Sequence, residues 1–228
     1  MTSSDLIGDV EHIRTKVLQW SATHLRSFPW RETRDPYRVF LAESLLKRTT
    51  SRAALRAYSP FLERYPDMCT LASSTLDGIV KCLKPVGLYR QRGVLMLEAA
   101  RYVCGCLGGI LPSGLEELKR IPGVGAYTAA AIASFAYGQK LPVVDSNVVR
   151  VMRRYAGDRR LTALGVDGML RVGLGPLCDR TFSLAMIDLG AKVCRPVSPL
   201  CGECPLASKC HGIAHQPGIQ ADGNCYSL

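Results

Sequence analysis

Three features that would point to other classes of protein are missing from this sequence: a long apolar run, a regular alternation of apolar and polar residues, and a repeated or low-complexity stretch. A helix that crosses a membrane needs about 20 consecutive apolar residues, and a half-buried strand shows alternation with a period of two. We therefore predict an all-α protein that does not span a membrane. Its 228 residues, of which 47% are hydrophobic, can bury a core as one unit or as two small domains.

Helical periodicity and capping signals divide most of the chain into helices. The first apolar face repeats at steps of four, three and four residues and comprises Leu6, Val10, Ile13 and Val17. Asp35 followed by Pro36 predicts the cap and first turn of a second helix. Further helices are predicted over residues 51–65, 74–83, 90–106, 114–120, 126–137, 146–156 and 179–192. Residues 213–228 are rich in small and polar residues and are predicted to form a loose tail.

The charge balance points to a polyanionic partner. The formal net charge is +10 and the isoelectric point about 9.3, and a chain this basic typically binds nucleic acid. A solvated surface of lysine and arginine is the simpler alternative. Ten cysteines without a recognisable secretory leader fit a reducing compartment. We therefore expect a cytoplasmic monomer, associated with the nucleoid if the source is prokaryotic.

Four cysteines near the C-terminus follow the spacing C-x6-C-x2-C-x5-C; they are Cys194, Cys201, Cys204 and Cys210. Four soft sulfur donors within so short a segment select zinc or an iron–sulfur cluster over hard cations. Zinc sites more often show two separated C-x2-C pairs, so the spacing favours a 4Fe-4S cluster. The remaining cysteines up to Cys178 are interpreted as small buried apolar side chains: Cys69, Cys82, Cys104, Cys106 and Cys178. Cys225 lies in the polar tail and is expected to be exposed.

A tight turn between two predicted helices carries a second signal. It contains Lys119, Arg120, Gly123, Val124 and Gly125. Glycines in such a turn allow backbone N–H groups to approach a phosphate, and the two cations add salt-dependent affinity for DNA. A turn of this kind is also a common connection between helices, so the turn alone does not indicate DNA binding and other residues must support that interpretation.

Asp145 provides that context. It follows an apolar segment and opens a predicted helix, which is the position of an N-cap. A capping carboxylate is also fixed in place, and breaking an N-glycosidic bond creates positive charge on the sugar that such a group can stabilise. We therefore interpret Asp145 as the best candidate for a catalytic residue.

The hairpin, the aspartate and the cysteine loop, in this order, resemble the helix-hairpin-helix DNA glycosylases of the endonuclease III superfamily over residues 28–210. The resemblance implies an all-α, two-lobed fold with a C-terminal 4Fe-4S cluster loop. Residues 31–140 would form the central lobe with the hairpin, and residues 1–30 together with 141–212 the second lobe with the cluster. It also implies that double-stranded DNA binds across both lobes and that the target base is flipped into a pocket between them.

Tyr127 bears on the reaction type. Members of the family that also cleave the strand carry a lysine at this hairpin position, whose amine forms a Schiff base with the sugar. A phenol cannot form an iminium ion. The resemblance therefore implies a monofunctional glycosylase that leaves an intact abasic site for a separate abasic-site endonuclease.

The segments Phe28–Tyr37 and Glu43–Thr50 resemble both the thymine-DNA mismatch glycosylases and the adenine glycosylases. The adenine enzymes typically carry two glutamines where this chain has Lys47 and Arg48, and a serine at the position of Tyr127. They also carry a long C-terminal domain, whereas about 18 residues follow the last cysteine of the loop here. The comparison favours removal of thymine or uracil opposite guanine, with adenine removal from A·G or A·8-oxoguanine as the alternative.

Three further residues are candidates. Glu43 could assist the leaving base, or it could be the buried partner of an arginine. Arg48 and Leu88 could fill the space left by a flipped nucleotide; otherwise they are a solvated charge and a loop-packing residue.

Two other classes of protein remain open. A non-catalytic iron–sulfur DNA-binding module would explain the charge but not Asp145, and an electron carrier would explain only the cysteines.

Overall fold

In this computed structural model the backbone of residues 3–214 and the side chains of residues 8–212 are described. Within that range every regular element is a helix and no β-strand forms, which confirms the predicted all-α class. None of the described helices is both long and apolar enough to cross a membrane. Cys225 and all but the first two residues of the predicted loose tail lie outside the described residues.

The helices follow one another with short connections. They are α1 Ser3–His24, α2 Pro36–Leu46, α3 Ser51–Arg64, α4 Met68–Ala72, α5 Leu76–Leu83, α6 Tyr89–Cys106, α7 Leu115–Lys119, α8 Ala126–Phe135, α9 Ser146–Ala156, α10 Ala163–Leu174, α11 Arg180–Lys192 and α12 His211–Ala214. Short 3-10 turns cover Pro29–Arg31, Gly175–Leu177, Cys201–Glu203 and Ala207–Lys209. The described residues form two compact units: Ser27–Gly138 is one, and the described residues before Ser27 together with those after Gly138 form the other.

In the unit formed by Ser27–Gly138, α6 packs against α4 and α5, and α2 packs against α3 and α8. Helix α8 is rich in alanine, and Ala129, Ala131 and Ala133 are fully buried, so that its backbone approaches its neighbours closely. Asp35 caps α2 by accepting hydrogen bonds from the backbone N–H groups of Tyr37 and Arg38, as the Asp-Pro signal predicted. This packing fixes the start of α8, where the hairpin ends.

In the other unit, α1 packs against α10 and α11, and α9 packs against α11 and α12. Val10, Ile13 and Val17 of α1 are fully buried, which confirms the predicted apolar face over the described part of that helix. The carboxylate of Asp188 is completely buried and accepts hydrogen bonds from the backbone and side chain of Arg26, both at 2.7 Å. A buried carboxylate paired in this way holds the end of α1 against α11.

The sequence did not predict three helices: α4, α10 and the four-residue α12, which includes the first two residues of the predicted tail. Helix α4 has only five residues, too few to show periodicity, and it starts where Asp67 caps the N–H of Thr70. Helix α10 contains three glycines, which lower its intrinsic helix propensity. Its cap at Thr162 and its packing on α1 supply the missing stability.

The cysteines outside the C-terminal loop differ from the expectation that all are buried thiols. Cys69 of α4 and Cys104 of α6 form a disulfide, with their Cα atoms 5.2 Å apart. Cys106 is exposed and Cys82 is partly exposed, while Cys178 is buried as predicted. The disulfide was missed because its cysteines are 35 residues apart, and only the packing of α4 on α6 brings them together.

Candidate functional site

Asp145 is the N-cap of α9, as predicted. Its Oδ1 accepts a hydrogen bond of 2.9 Å from the backbone N–H of Val148, and its Oδ2 accepts one of 2.6 Å from the side-chain amide of Asn147. The preceding segment from Leu141 to Val143 is buried and anchors the start of the helix. Both carboxylate oxygens are therefore held in fixed positions before any substrate binds.

The surroundings of Asp145 alter its acidity. Burial raises the pKa of its carboxyl group above the ordinary value, while the hydrogen bonds from Val148 and Asn147 and the charge of Arg150 oppose that rise. A carboxylate that is partly desolvated and specifically hydrogen-bonded is typical of catalytic positions. A residue that only caps a helix can remain exposed to solvent, whereas the carboxylate of Asp145 is partly buried.

Asn147 and Arg150 link Asp145 to the start of the cysteine loop. The side-chain oxygen of Asn147 accepts a hydrogen bond of 2.7 Å from Nη2 of Arg150. The same guanidinium donates to the carbonyl oxygens of Gly190 at 2.9 Å and Cys194 at 2.8 Å. We did not predict either residue from the sequence. Their spacing of three on a helix opened by a candidate aspartate was the available signal, because residues three apart share a helix face.

A cavity of about 540 Å³ borders Asp145. Its charged lining, apart from that carboxylate, consists of Arg150, Arg153, Arg154 and Arg159. Arg153 is held by a hydrogen bond of 2.6 Å from its Nε to the carbonyl oxygen of Leu161. Four guanidinium groups around a single carboxylate make this cavity suited to an anionic ligand such as a phosphodiester. From the sequence we predicted only the overall positive charge, since these arginines are brought together by the fold of α9 and the segment after it.

The first and last cysteines of the C-terminal loop both contact Arg154. Nη1 of Arg154 lies 3.4 Å from Sγ of Cys194, and Sγ of Cys210 lies 3.4 Å from the carbonyl oxygen of Arg154. The same side chain donates hydrogen bonds to the carbonyl oxygens of Arg195 and Pro196, at 2.6 and 3.0 Å. The two ends of the loop thus dock on one turn of α9.

All four loop cysteines are partly buried. Gly212 follows them and packs so closely on α9 that an added Cβ would lie 2.7 Å from the carbonyl oxygen of Arg154. Among the side chains of residues 8–212, no group of three or more His, Cys, Asp or Glu residues is arranged to hold a metal ion. The iron–sulfur cluster therefore stays a prediction based on the four sulfur donors and their spacing.

The predicted hairpin joins α7 to α8. Gly123 has φ +75°, a left-handed conformation that favours glycine, and an added Cβ there would lie 3.2 Å from Cβ of Leu95. Val124 is buried and anchors the turn, while Lys119 and Arg120 are exposed. Lys119 also forms an ion pair with Glu116 at 2.7 Å. Gly125 is the N-cap of α8, and because it has no side chain it does not cap the first N–H groups of that helix.

Tyr127 and Glu43 lie in the same unit as the hairpin. Tyr127 is partly exposed in the first turn of α8. Glu43 is only 6% exposed on α2 and lies one helical turn before Lys47. Partial desolvation and the charge of Arg92 lower the pKa of Lys47, whereas the carboxylate of Glu43 raises it. Glu43 thus interacts electrostatically with a lysine, a partner that the sequence did not suggest.

Arg48 and Leu88 share an unusual backbone conformation. Their φ angles are +51° and +57°, in the left-handed region that residues other than glycine rarely adopt. Both residues are exposed, Leu88 to 52%. They line one pocket of about 410 Å³ together with Pro122 and Gly123 of the hairpin. The structure therefore brings the two predicted wedge residues and the hairpin to one surface of this unit.

Comparison with known proteins connects this geometry to a family. Residues 41–164 match the model of the HhH-GPD superfamily base excision DNA repair proteins. The chain is 34% identical over 211 residues to the thymine-DNA glycosylase of Aeropyrum pernix, covering 89% of this chain and 95% of that protein. It is 36% identical over 200 residues to the thymine/uracil-DNA glycosylase of Methanothermobacter thermautotrophicus, covering 85% and 90%. It is also 34% identical to human adenine DNA glycosylase, covering 90% of this chain but 40% of that enzyme.

Solved structures agree with these matches. A thermostable thymine-DNA glycosylase superposes with a TM-score of 0.80 at 34% identity, covering 88% of this chain and 94% of that one. A trapped endonuclease III–DNA covalent intermediate also gives a TM-score of 0.80, and at 22% identity this likeness shows a shared fold. The resemblance inferred from the hairpin and aspartate motifs is thereby confirmed, and the chain belongs to the HhH-GPD superfamily of base excision DNA repair proteins.

Proposed function

We propose that this protein is a monofunctional DNA glycosylase that removes thymine or uracil mispaired with guanine. The observation that carries the proposal is the desolvated Asp145 carboxylate, held by Val148 and Asn147 beside a cavity lined by arginines. The choice of base is supported by relatives named for thymine and uracil, which match over nearly their whole length.

Asp145 would act on the sugar of the flipped nucleotide. The bond between C1′ and the base nitrogen breaks, and its electron pair leaves with the base. The carboxylate stabilises the positive charge that develops on the sugar and orients a water molecule, whose oxygen bonds to C1′ while its proton passes to Asp145 and from there to the departing base anion. Thymine and uracil leave as anions stabilised by their ring carbonyls, so Glu43 would have a secondary role as an acid or as a contact to the base edge.

The reaction would end with an intact abasic site. Tyr127 occupies the hairpin position at which strand-cleaving members of the family have a lysine, and a phenol cannot form the Schiff base that leads to strand cleavage. The product would then pass to an abasic-site endonuclease. Tyr127 would instead contact the flipped base or position the sugar.

Binding to double-stranded DNA would use both charge and shape. The N–H groups at the hairpin, with Lys119 and Arg120, would bind phosphates. Arg48 and Leu88 would enter the duplex and occupy the space left by the flipped nucleotide. We also propose that the protein acts on DNA as a monomer.

Cys194, Cys201, Cys204 and Cys210 would hold a 4Fe-4S cluster. The donor set fits the group, since all four ligands are sulfur, and the first and last of them already lie against Arg154. A bound cluster would cross-link the loop and offer redox chemistry that the hydrolysis itself does not need. Arg150 and Arg154 would complement its thiolates and hold the loop on α9.

Replacing Asp145 by asparagine tests the proposal. Asp145→Asn keeps a capping side chain but removes the charge, so mismatch DNA should still bind while single-turnover base release falls by about 100-fold or more. Asp179→Asn is the matched control. Asp179 caps α11 with the same geometry, accepting from Phe182 N–H at 2.9 Å, and this variant should keep the wild-type rate. A wild-type rate for Asp145→Asn would refute the assignment, and a wild type that binds DNA without releasing any base would favour the non-catalytic module.

A further inference from the structure

Arg92 is a buried cation at the start of α6 that the proposed chemistry does not use. It is 6% exposed. Its guanidinium donates to the carbonyl oxygens of Ser44, Lys47 and Gly87 and to the hydroxyl of Thr49. The distances from Nη2 are 2.8 Å to Lys47, 3.0 Å to Gly87 and 3.2 Å to Thr49. One side chain thus joins the connection between α2 and α3 to the turn before α6.

The positions of two of these acceptors suggest what Arg92 does. Lys47 immediately precedes Arg48, and Gly87 immediately precedes Leu88. Arg48 and Leu88 both have φ angles in the left-handed region, and in the unit Ser27–Gly138 they are the residues other than glycine that do. Such a conformation persists in residues other than glycine only where the surrounding structure holds it. Arg92 supplies hydrogen bonds to the peptide group at the entry of both turns.

Arginine suits this position for a chemical reason. Its acceptors are neutral oxygens, and burial lowers the pKa of Arg92. Charged donors form strong hydrogen bonds to carbonyl groups. The planar guanidinium offers five N–H donors in a rigid fork, whereas an ammonium group is a compact charge on a flexible stem. Nη2 of Arg92 by itself reaches both connections, and the fork adds Nη1, which donates to Ser44 of α2.

The hairpin belongs to the same arrangement. Nζ of Lys47 donates a hydrogen bond of 2.8 Å to the carbonyl oxygen of Gly123. Gly123 in turn packs against Leu95, one helical turn after Arg92 on α6. The pocket of about 410 Å³ is lined by all three connections. A shift of Arg92 would therefore move both wedge residues relative to the hairpin.

We propose that Arg92 is a positioning residue that fixes the turns carrying Arg48 and Leu88 in the arrangement that opens the DNA duplex. The inference rests on the proposed function, since it assigns Arg92 a part in base flipping by this enzyme. Arg92 acts through the two wedge residues and touches neither the base nor the sugar. Its loss should therefore matter only while those wedge residues can contribute.

A double-mutant cycle tests the proposal by single-turnover release of uracil from a G·U duplex. Arg92→Gln should slow release by about 10- to 100-fold, the range for a misplaced positioning element. In a background that already carries Leu88→Ala and Arg48→Ala, the same change should cost less than about twofold, because coupled residues are not additive. Arg92→Lys should remain impaired, since it restores charge without the fork.

Val103→Ala is the control for stability. Val103 is fully buried on α6, far along the helix from the turns, and its truncation lowers the melting temperature by leaving a cavity without touching Arg92. It should keep the wild-type rate. If Arg92→Gln slowed release by the same factor in the wild-type and the doubly substituted backgrounds, the role of Arg92 would be overturned. Full activity of Arg92→Lys would overturn it as well. Failure of the wild type to release uracil at all would overturn the proposed function instead.

Discussion

The hydrogen bond from Asn147 to Asp145 leads to a prediction about pH dependence. Asn147→Ala removes the donor that lies 2.6 Å from Oδ2 of Asp145, and it leaves the bond from Val148 N–H in place. The alanine keeps the Cβ of Asn147, which packs closely against Gly190 of α11. The variant should therefore fold normally and change mainly the electrostatics of one carboxylate.

The size of the effect follows from the charge of the acceptor. Burial already raises the pKa of Asp145, and the amide of Asn147 opposes that rise. A hydrogen bond to a charged group contributes about 1.5–3 kcal/mol, and about 1.4 kcal/mol corresponds to one pH unit in a titration. Arg150 stays nearby and compensates part of the loss. We therefore expect the ionisation of Asp145 to move up by about one pH unit, near the lower end of this range.

Single-turnover release of uracil from a G·U duplex, measured from acidic to mildly basic pH, reports this shift. The wild-type rate should rise with pH as Asp145 ionises and then level off. Asn147→Ala should show the same rise at higher pH, about tenfold slower on the acidic side and converging on the plateau. Thr162→Ala, which removes an unrelated helix cap, should leave the profile in place. An unmoved acidic limb in Asn147→Ala, or an equal loss at every pH, would refute the assignment.

Three further predictions concern stability and binding. Burial raises the pKa of Asp145 in the folded protein, so its ionised form lowers the free energy of unfolding at neutral pH. Asp145→Asn should therefore raise the melting temperature at pH 7. This gain should disappear as the pH falls through the pKa of Asp145 in the folded wild type. Replacing both Cys69 and Cys104 by alanine opens a loop of 35 residues and should lower the free energy of unfolding in urea by roughly 4 kcal/mol; an unchanged midpoint would contradict the disulfide. Arg159→Gln should reduce the slope of log affinity against log salt by about one, and an unaltered slope would remove Arg159 from the DNA interface.

Local signals in the sequence were sufficient for most helices and for the cap at Asp145. Asp35 and Asp145 hold backbone N–H groups of the helices that they open, as their positions predicted. Helix α4 escaped prediction because it is too short to show periodicity, and α10 because its glycines conceal a helix that packing stabilises. These failures follow from physics, since tertiary contacts often outweigh local propensity.

The residues that support the site depend on contacts between distant parts of the chain. Arg150 reaches Cys194, 44 residues away, and Arg92 reaches Lys47, 45 residues away. No local pattern distinguishes Arg92 from the other cations of the chain, and the only local signal for Arg150 is its spacing of three from Asn147 on the helix that Asp145 opens. The sequence thus led to the residue that would act on the sugar, whereas the fold was needed to find those that hold the site in place.

Base release from matched duplexes tests the central claim most directly. Duplexes with G·T, G·U, A·G or A opposite 8-oxoguanine would be incubated with excess enzyme, and each product would be analysed with and without alkali. The account predicts release of thymine and uracil opposite guanine, with strand breaks only after alkali. Release of adenine instead, or strand breaks without alkali, would contradict it.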